Sequence, residues 1–420
     1  MGFLVLPEIA TLTTLQPLAP PRSRERELRT VHRTPVHEGL LATMLHPLVI
    51  GLGRSGAGLH LRALAKARDA AADLFATGPS LACDTDPAAR RAASDVRTVD
   101  SVSAAAELVD PESTVAHVCT PPGERVPVLT ELAVHGIRRA VVEKPLATGL
   151  EDLAAVRQLT AQHGMDVVVV AHWLDSALTA RLAALVRDGR LGSLRAISVA
   201  QHKPRFTRSA AGGQHPTAFD VEVPHSLGLV LGLAGPAELL DADCTDMHCD
   251  GTVLPRVGGA RLSLQHRTGV RTDIASDLTA PVQERRVALE FTRGTAIGHY
   301  PISDRDDHAQ LVVAGRREVF RDDALTGFVL RAYRDFHQDF QQDPGQDCEH
   351  DCGQDAGQDP EQDLQHDRGR GHDAEFERQC EVVRLVSEAK RHCASAPAAV
   401  PGAHGVLAGA AAERSVDHAR

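Results

Sequence analysis

The chain has 420 residues, 43% of them hydrophobic and only 3% aromatic, and a formal net charge of −11. That length suits two domains with room for a tail or insert, and the apolar share can fill sizeable cores built from Ala, Val and Leu. The acidic balance argues against a nucleic-acid partner, and no apolar run reaches the roughly 18–20 residues needed to span a bilayer.

Residues 1–43 lack helical or strand periodicity and read as a disordered extension, with Met44 an alternative start just before the first strand. Arg22, Arg24 and Arg26 follow the apolar stretch from Phe3 to Leu6, the reverse of the order in a secretory signal. Leu45 to Ile50 is a strand that ends at Gly51, and Gly58 to Ala67 is a helix. Ser80 to Cys83 is a second strand ending at Asp84, followed by a helix from Pro87 to Ala93 with proline in its first turn. Val115 to Cys119 is a third strand, closed by Thr120-Pro121-Pro122. Helix Val126 to His135 leads to the strand Ala140-Val141-Val142, which ends at Glu143-Lys144-Pro145. Helix Leu150 to His163 and strand Val167 to Ala171 complete an alternating pattern that implies a parallel sheet covered on both faces.

After His172 the pattern changes. A helix from Ala177 to Arg187 precedes strands near Leu194–His202, Ala237–Cys244, Ala260–His266, Val270–Ser276, Arg286–Phe291 and Gln310–Val313, with a helix from Pro224 to Leu233 between the first two. Turn residues between the strands suit a mainly antiparallel sheet. Helices from Leu325 to Phe336 and from Ala374 to Lys390 close the folded part, and the latter carries Phe376, Cys380, Val383 and Val386 on one face. Between them, aspartates recur every fourth residue from Asp335 to Asp367. Stacked on one helical face these would repel, so 339–372 reads as a disordered Asp/Gln-rich insert. The expected organisation is 1–43 extension, 44–171 first domain, 172–338 second domain, 339–372 insert, 373–395 helix and 396–420 disordered tail.

Eight cysteines, at positions 83, 119, 244, 249, 348, 352, 380 and 393, show no Cys-x-x-Cys pair and no regular disulfide spacing. That reads as reduced thiols and a cytoplasmic location. Cys348, His350 and Cys352 could chelate a metal, but no second ligand pair lies at a convincing spacing, so no metal site is expected.

The chemistry concentrates at strand ends. Gly51-Leu52-Gly53-Arg54-Ser55-Gly56 follows a strand and opens a helix, the context in which a glycine motif binds a dinucleotide. Gly51 permits the tight turn, Gly53 lets backbone approach a pyrophosphate, and Gly56 lets helix and sheet pack closely. Asp84 can accept hydrogen bonds from both adenosine ribose hydroxyls and would repel a 2′-phosphate. This favours NAD, while Arg90 and Arg91 leave NADP open. A glycine turn in a nucleotide-free fold is the bland alternative. The chain has four lysines, Lys66, Lys144, Lys203 and Lys390. A lysine at the end of a buried strand suggests chemistry that guanidinium cannot perform, with a surface lysine as the alternative.

Gly51 to Gly56, Thr120-Pro121-Pro122 and Glu143-Lys144-Pro145-Leu146-Ala147, in this order and spacing, resemble the Gfo/Idh/MocA oxidoreductases, relatives of glucose-fructose oxidoreductase and inositol 2-dehydrogenase. Gly189-Arg190-Leu191-Gly192 before a strand is similar too. The resemblance implies an N-terminal Rossmann domain with a parallel sheet, a C-terminal α/β domain with an open, mainly antiparallel sheet, and a homodimer or homotetramer. It implies an NAD-dependent dehydrogenase acting on a secondary alcohol of a sugar, amino sugar or cyclitol. Gly51, Gly53, Arg54, Ser55, Gly56, Asp84, Thr120, Pro121, Glu143, Lys144 and His172 would line the cofactor, with Lys144 beside the nicotinamide.

The resemblance also implies a histidine acid/base in the second domain, for which His225 is the best candidate. The chain departs from the family pattern here: the usual aspartate four residues earlier would be Val221, with Asp220 and Glu222 adjacent. Either acid could orient the ring, or the roles have moved; Asp220 is taken as the catalytic candidate. The alternative is that Asp220 caps the helix beginning at Pro224 and His225 is a buried first-turn residue. His172-Trp173-Leu174 stands where relatives often have Asn-x-Arg, so His172 and Trp173 could touch substrate or pack the domain junction. Arg125 replaces a common histidine, and His202 and His215 read as surface residues. A nucleotide-binding regulator of the same fold that has lost turnover is the competing function.

Overall fold

The protein is represented by a computed structural model that describes residues 44–211, 215–303, 306–342 and 360–395, with side chains described in all of these except 340–342, 360–372 and 395. The segments 1–43 and 396–420, much of the Asp/Gln-rich insert, and Cys348, His350 and Cys352 lie outside the described residues.

Described elements run in chain order as β1 (His46–Ile50), α1 (Leu61–Ala70), β2 (Leu81–Cys83), α2 (Pro87–Ala92), β3 (Arg97–Val99), α3 (Val102–Ala106), β4 (Thr114–Val118), α4 (Arg125–Val134), β5 (Arg139–Val142), α5 (Leu150–His163) and β6 (Asp166–Val169). There follow α6 (Ala177–Asp188), β7 (Leu194–His202), α7 (Phe206–Ala210), α8 (Val223–Ala234), β8 (Ala237–Cys249), β9 (Thr252–His266), β10 (Arg271–Asp277), β11 (Glu284–Phe291), β12 (Gly294–His299), β13 (His308–Val313), β14 (Arg316–Arg321), α9 (Ala324–Gln342) and α10 (Pro360–Ser395).

The first six strands form one parallel sheet in the order β3-β2-β1-β4-β5-β6. The order reverses between β1 and β4, and ligands of such sheets bind in the crevice outside the strand C-termini at that point. The central strands are apolar on both faces, as a doubly covered sheet requires: Leu48, Val49, Val115, Ala116, Val118, Ala140, Val141 and Val142 are fully buried. Asp86 caps α2 by accepting from the Ala88 N–H at 2.8 Å, with Pro87 at the first position.

The remaining strands form an eight-stranded sheet, β14-β13-β12-β11-β7-β10-β9-β8, antiparallel except where β7 pairs β10. Its core includes Leu178 and Leu182 from α6 and Leu227, Val230 and Leu231 from α8. The last two helices return to the first domain. From α9, Phe328, Val329, Ala332, Tyr333 and Phe336 pack with Val49, Leu64 and Ala67. From α10, Cys380 and Val383 enter the Rossmann core while Val382, Leu385, Val386 and Ala389 enter the second core. One helix therefore ties both sheets.

Some elements differ from the sequence reading. Helix α9 extends to Gln342, and the backbone of α10 is helical from Pro360 instead of Ala374; proline at a first helical position costs no hydrogen bond. Strands β3, β12 and β14 are additional. β3 is a three-residue edge strand, β12 begins and nearly ends with glycine, and β14 (RREVFR) is a charged edge, so none carries an apolar run.

Candidate functional site

The glycine loop is held by close contacts at both ends. Gly51 has φ +92°, a conformation that favours glycine, and a Cβ there would lie 3.1 Å from the Cys119 and Thr120 backbone. A Cβ on Gly56 would meet the Gly51 carbonyl oxygen at 1.8 Å, so only glycine lets the helix start this close to the strand. Gly53 has nothing within 4 Å of a Cβ and faces the cleft. Asp84, at the end of β2, accepts from the Leu52 N–H at 2.6 Å through Oδ2 and from the Asp86 N–H at 2.8 Å through Oδ1. The carboxylate thus braces the loop while its remaining lone pairs stay available to ribose hydroxyls. Arg54, Ser55, Thr120 and Pro121 line the same cleft, and the buried Thr120 hydroxyl has no hydrogen-bond partner among the described residues. These residues fit a dinucleotide.

At the end of β5, Lys144 Nζ donates to the Val221 carbonyl oxygen at 2.7 Å. Val221, where the resemblance leads one to expect an aspartate, therefore holds the lysine through its backbone. Burial pulls the Lys144 ammonium down to about 8; Glu143 opposes this, while Arg125, Arg205 and Arg208 add to it. Glu143 begins a chain of buried hydrogen bonds. Its Oε1 lies 3.2 Å from His60 Nε2, His60 Nδ1 lies 2.8 Å from His117 Nδ1, and His117 Nε2 lies 3.0 Å from the Tyr333 hydroxyl. Burial disfavours charge on both members of the first pair, but Cys119 and Glu143 hold the His60 imidazolium up to about 10. Likewise the His60 hydrogen bond and charge, helped by Lys144 and Arg125, hold Glu143 down to about 2. His117, buried beside that imidazolium, is pushed well below 6.5 and stays neutral.

His225 sits in the first turn of α8, with its ring centroid 4.9 Å from that of His172 and 5.8 Å from that of Trp173. Burial, then Lys144, His172, Arg285 and Lys203, push it well below 6.5, so its imidazole is neutral. His172 is lowered to about 4, chiefly by burial. Each ring has a buried Nδ1 without a hydrogen-bond partner among the described residues. Trp173 is buried and stacks on Tyr300 at 4.2 Å, which gives it a packing role at the junction.

Asp220 does not face the cleft. Its Oδ2 accepts from the Thr217 N–H at 3.0 Å and hydroxyl at 2.7 Å, and its Oδ1 pairs with Lys390. A capping interaction therefore takes the carboxylate expected to orient His225, as the alternative reading has it, although the capped turn is the short one at Ala218–Asp220, outside α8. Glu222 does line the cleft, paired with Lys203 and accepting from Gln201.

All the expected cofactor residues except Gly56, which is covered by the loop itself, line one cleft of about 1340 Å³ together with His225. A single ligand site is typically 300–1,000 Å³, so this volume suits a cofactor and a second molecule. His215 also lines the cleft, where burial followed by Lys144, Arg205, Arg125 and Arg208 lowers it to about 3; the surface expectation for it does not hold. His202 is half-buried on β7 and accepts from the Asp277 N–H. Sequence reasoning missed the His60–His117 pair and the cationic wall of Lys203, Arg205, Arg208 and Arg285. The signals were a histidine in the apolar strand β4 and three cations at alternate or nearby positions from 203 to 208. Among the described residues no cluster of His, Cys, Asp and Glu could hold a metal ion, and no helix is long and apolar enough to cross a membrane.

Residues 45–172 match the family model described as an oxidoreductase family with an NAD-binding Rossmann fold. No curated protein sequence matches the chain. Among solved structures it is similar to KijD10, a 3-ketoreductase from Actinomadura kijaniata in complex with NADP and TDP-benzene, with 14% identity, TM-score 0.62, and coverage of 83% of this chain and 98% of that one. It is also similar to the WlbA dehydrogenase from Bordetella pertussis in complex with NADH and UDP-GlcNAcA, with 19% identity, TM-score 0.57 and coverage of 84% and 96%. An oxidoreductase from Thermotoga maritima has 13% identity, TM-score 0.61 and coverage of 83% and 96%. At these identities the likeness concerns the fold.

Proposed function

We infer, for a chain whose residues 45–172 belong to the Gfo/Idh/MocA oxidoreductases with their NAD-binding Rossmann fold, an NAD-dependent dehydrogenase that interconverts a secondary alcohol and a ketone on a sugar, amino sugar or cyclitol. The observation that carries this reading is the meeting of Lys144, fixed by the Val221 carbonyl, with neutral His225 and His172 in the cleft entered by the glycine loop. The sugar chemistry is supported by the ligands of KijD10 and WlbA.

Gly51–Gly56, Asp84 and Thr120 would hold the cofactor, whose nicotinamide accepts or supplies a hydride when bound. In the alcohol-oxidising direction the neutral His225 imidazole takes the hydroxyl proton as hydride leaves the same carbon, and this requires a base that is uncharged at working pH. Lys144 Nζ presents its remaining N–H groups to the same oxygen and stabilises the charge that develops there. The buried Glu143–His60 pair fixes the strand end that carries Lys144. A homodimer or homotetramer belongs to the same proposal and is tested by light scattering.

The test is NADH formation by purified protein across inositols, hexoses, amino sugars and uronates, beside nicotinamide fluorescence for binding. Turnover of at least one class supports the dehydrogenase. Tight NADH binding with no turnover on any member contradicts it and favours the regulator.

A further inference from the structure

On the second domain's side of the cleft Arg205 and Arg208 form no ion pair among the described residues. Lys203, Arg205 and Arg208 follow β7 and open α7, and Arg54, Arg125 and Lys144 face the same cleft from the Rossmann side. The acids nearby are engaged elsewhere. Glu222 is taken by Lys203 and Gln201; Asp322 accepts from the Ser176 hydroxyl at 2.6 Å and the Ala177 N–H at 2.8 Å; Asp323 pairs with Lys66 and Asp307 with Arg321.

Two of the guanidiniums are buried without a hydrogen-bonded carboxylate, although the Glu143 charge favours that of Arg125. Arg205 is 7% exposed, donates weakly to Ser209 Oγ at 3.3 Å, and has a buried Nε with no partner among the described residues. Arg125 is 3% exposed, donates Nη2 to the Lys144 carbonyl oxygen at 3.2 Å, and leaves Nε and Nη1 without partners. A buried charge lacking its counterion is costly, and planar N–H forks match carboxylate and phosphate oxygens. Burial and like-charged neighbours accordingly lower Arg205 to about 10.

We propose that Arg125, Arg205 and Arg208 form an oxyanion subsite beside Lys144, which makes the substrate an acidic sugar bearing a carboxylate or phosphate. This rests on the dehydrogenase reading of the cleft. The competing source of the same chemistry is the cofactor's own pyrophosphate, because Arg54 of the glycine loop acts on both Arg205 and Arg208. The substrate is favoured because the glycine loop and its helix N-terminus already provide a pyrophosphate cradle. In addition, Arg125 hydrogen-bonds the backbone of Lys144, at the reacting end.

The experiment titrates inorganic phosphate and glucuronate, with glucose as the neutral control, into NADH-saturated protein by calorimetry. Wild type, Arg205→Gln and the exposed-site variant Arg208→Gln are compared; Arg208 is exposed, so that change leaves the fold intact. The proposal expects the anions to bind wild type and to weaken at least tenfold in each variant, with the NADH Kd changed less than twofold. Anion binding that is absent from wild type or unaltered in Arg208→Gln overturns it. So does a tenfold loss of NADH affinity in the variants, which would assign the arginines to the cofactor. If wild type does not bind NADH at all, the dehydrogenase reading fails by itself, and the same titration on the protein alone still decides the subsite.

Discussion

Replacing Glu143 by leucine leaves buried His60 without its carboxylate, with Cys119 the remaining group that favours the imidazolium. The pair is 3.2 Å apart, with side-chain exposures of 0% for His60 and 11% for Glu143, so water cannot replace the lost carboxylate. Breaking such a pair from one side costs about 3–5 kcal/mol. At roughly 2 °C per kcal/mol for a unit of this size, Tm should fall by about 6–10 °C. The double variant His60→Leu/Glu143→Leu removes both charges and keeps mainly the cost of the His117 Nδ1 that loses its partner, about 1–3 kcal/mol. It should therefore be more stable than Glu143→Leu alone. Glu143 is depressed, so its contribution is present above its ordinary carboxylate pKa and is lost as pH falls toward about 2. His60 is raised, so its contribution is complete below about pH 6.5 and is lost as pH rises through about 10. The stability gap between wild type and double variant should thus be widest near pH 5–6 and narrow by pH 9, as read by thermal melts at each pH. A double variant no more stable than Glu143→Leu would refute the ion pair.

Other consequences are testable in the same preparation. Asp84→Ser should weaken NADH binding while relaxing discrimination against NADPH, read from the two dissociation constants; tighter NADPH binding by wild type would remove Asp84 as the ribose ligand. Gly56→Ala places a Cβ 1.8 Å from the Gly51 carbonyl oxygen, so the loop must shift, and NADH affinity should drop at least tenfold; unchanged affinity would show that the loop is not the cofactor's seat. If Lys144 acts as the charged hydrogen-bond donor, kcat/KM for alcohol oxidation should fall as pH rises through about 8. Lys144→Arg should move that limb upward, whereas a rise through the same pH would make the lysine the base.

The fold was legible wherever one period dominated. Apolar runs ending at Gly51, Asp84, Thr120 and Glu143 gave the parallel sheet, because strands buried on both faces carry little else. The charged edge β14 and the glycine-bounded β12 carry no such signal, and their pairing is decided by tertiary contact. The same distinction divides the site. Gly51 and Gly56 are demanded locally by backbone geometry, and Lys144 stands out by its position at a strand end. The partners of His60 and Asp220 lie 83 and 170 residues away (143 − 60 and 390 − 220), separations at which spacing says nothing. The expectation that Asp220 orients His225 went astray for this reason: the acid's proximity in sequence was visible, but Lys390 was not. The basic wall was equally hidden, since the local spacing of Lys203, Arg205 and Arg208 does not show that they line the cleft.

The most direct test of the account compares hydride transfer in wild type, Lys144→Met and His225→Ala, following NADH formation with whichever alcohol in the panel wild type oxidises. Loss of a general acid/base group, or of a charged donor to the reacting oxygen, lowers turnover by about 10²-fold or more. The account predicts a loss of that size in each variant, with the NADH dissociation constant of His225→Ala within a few fold of wild type. Full activity in His225→Ala would contradict it.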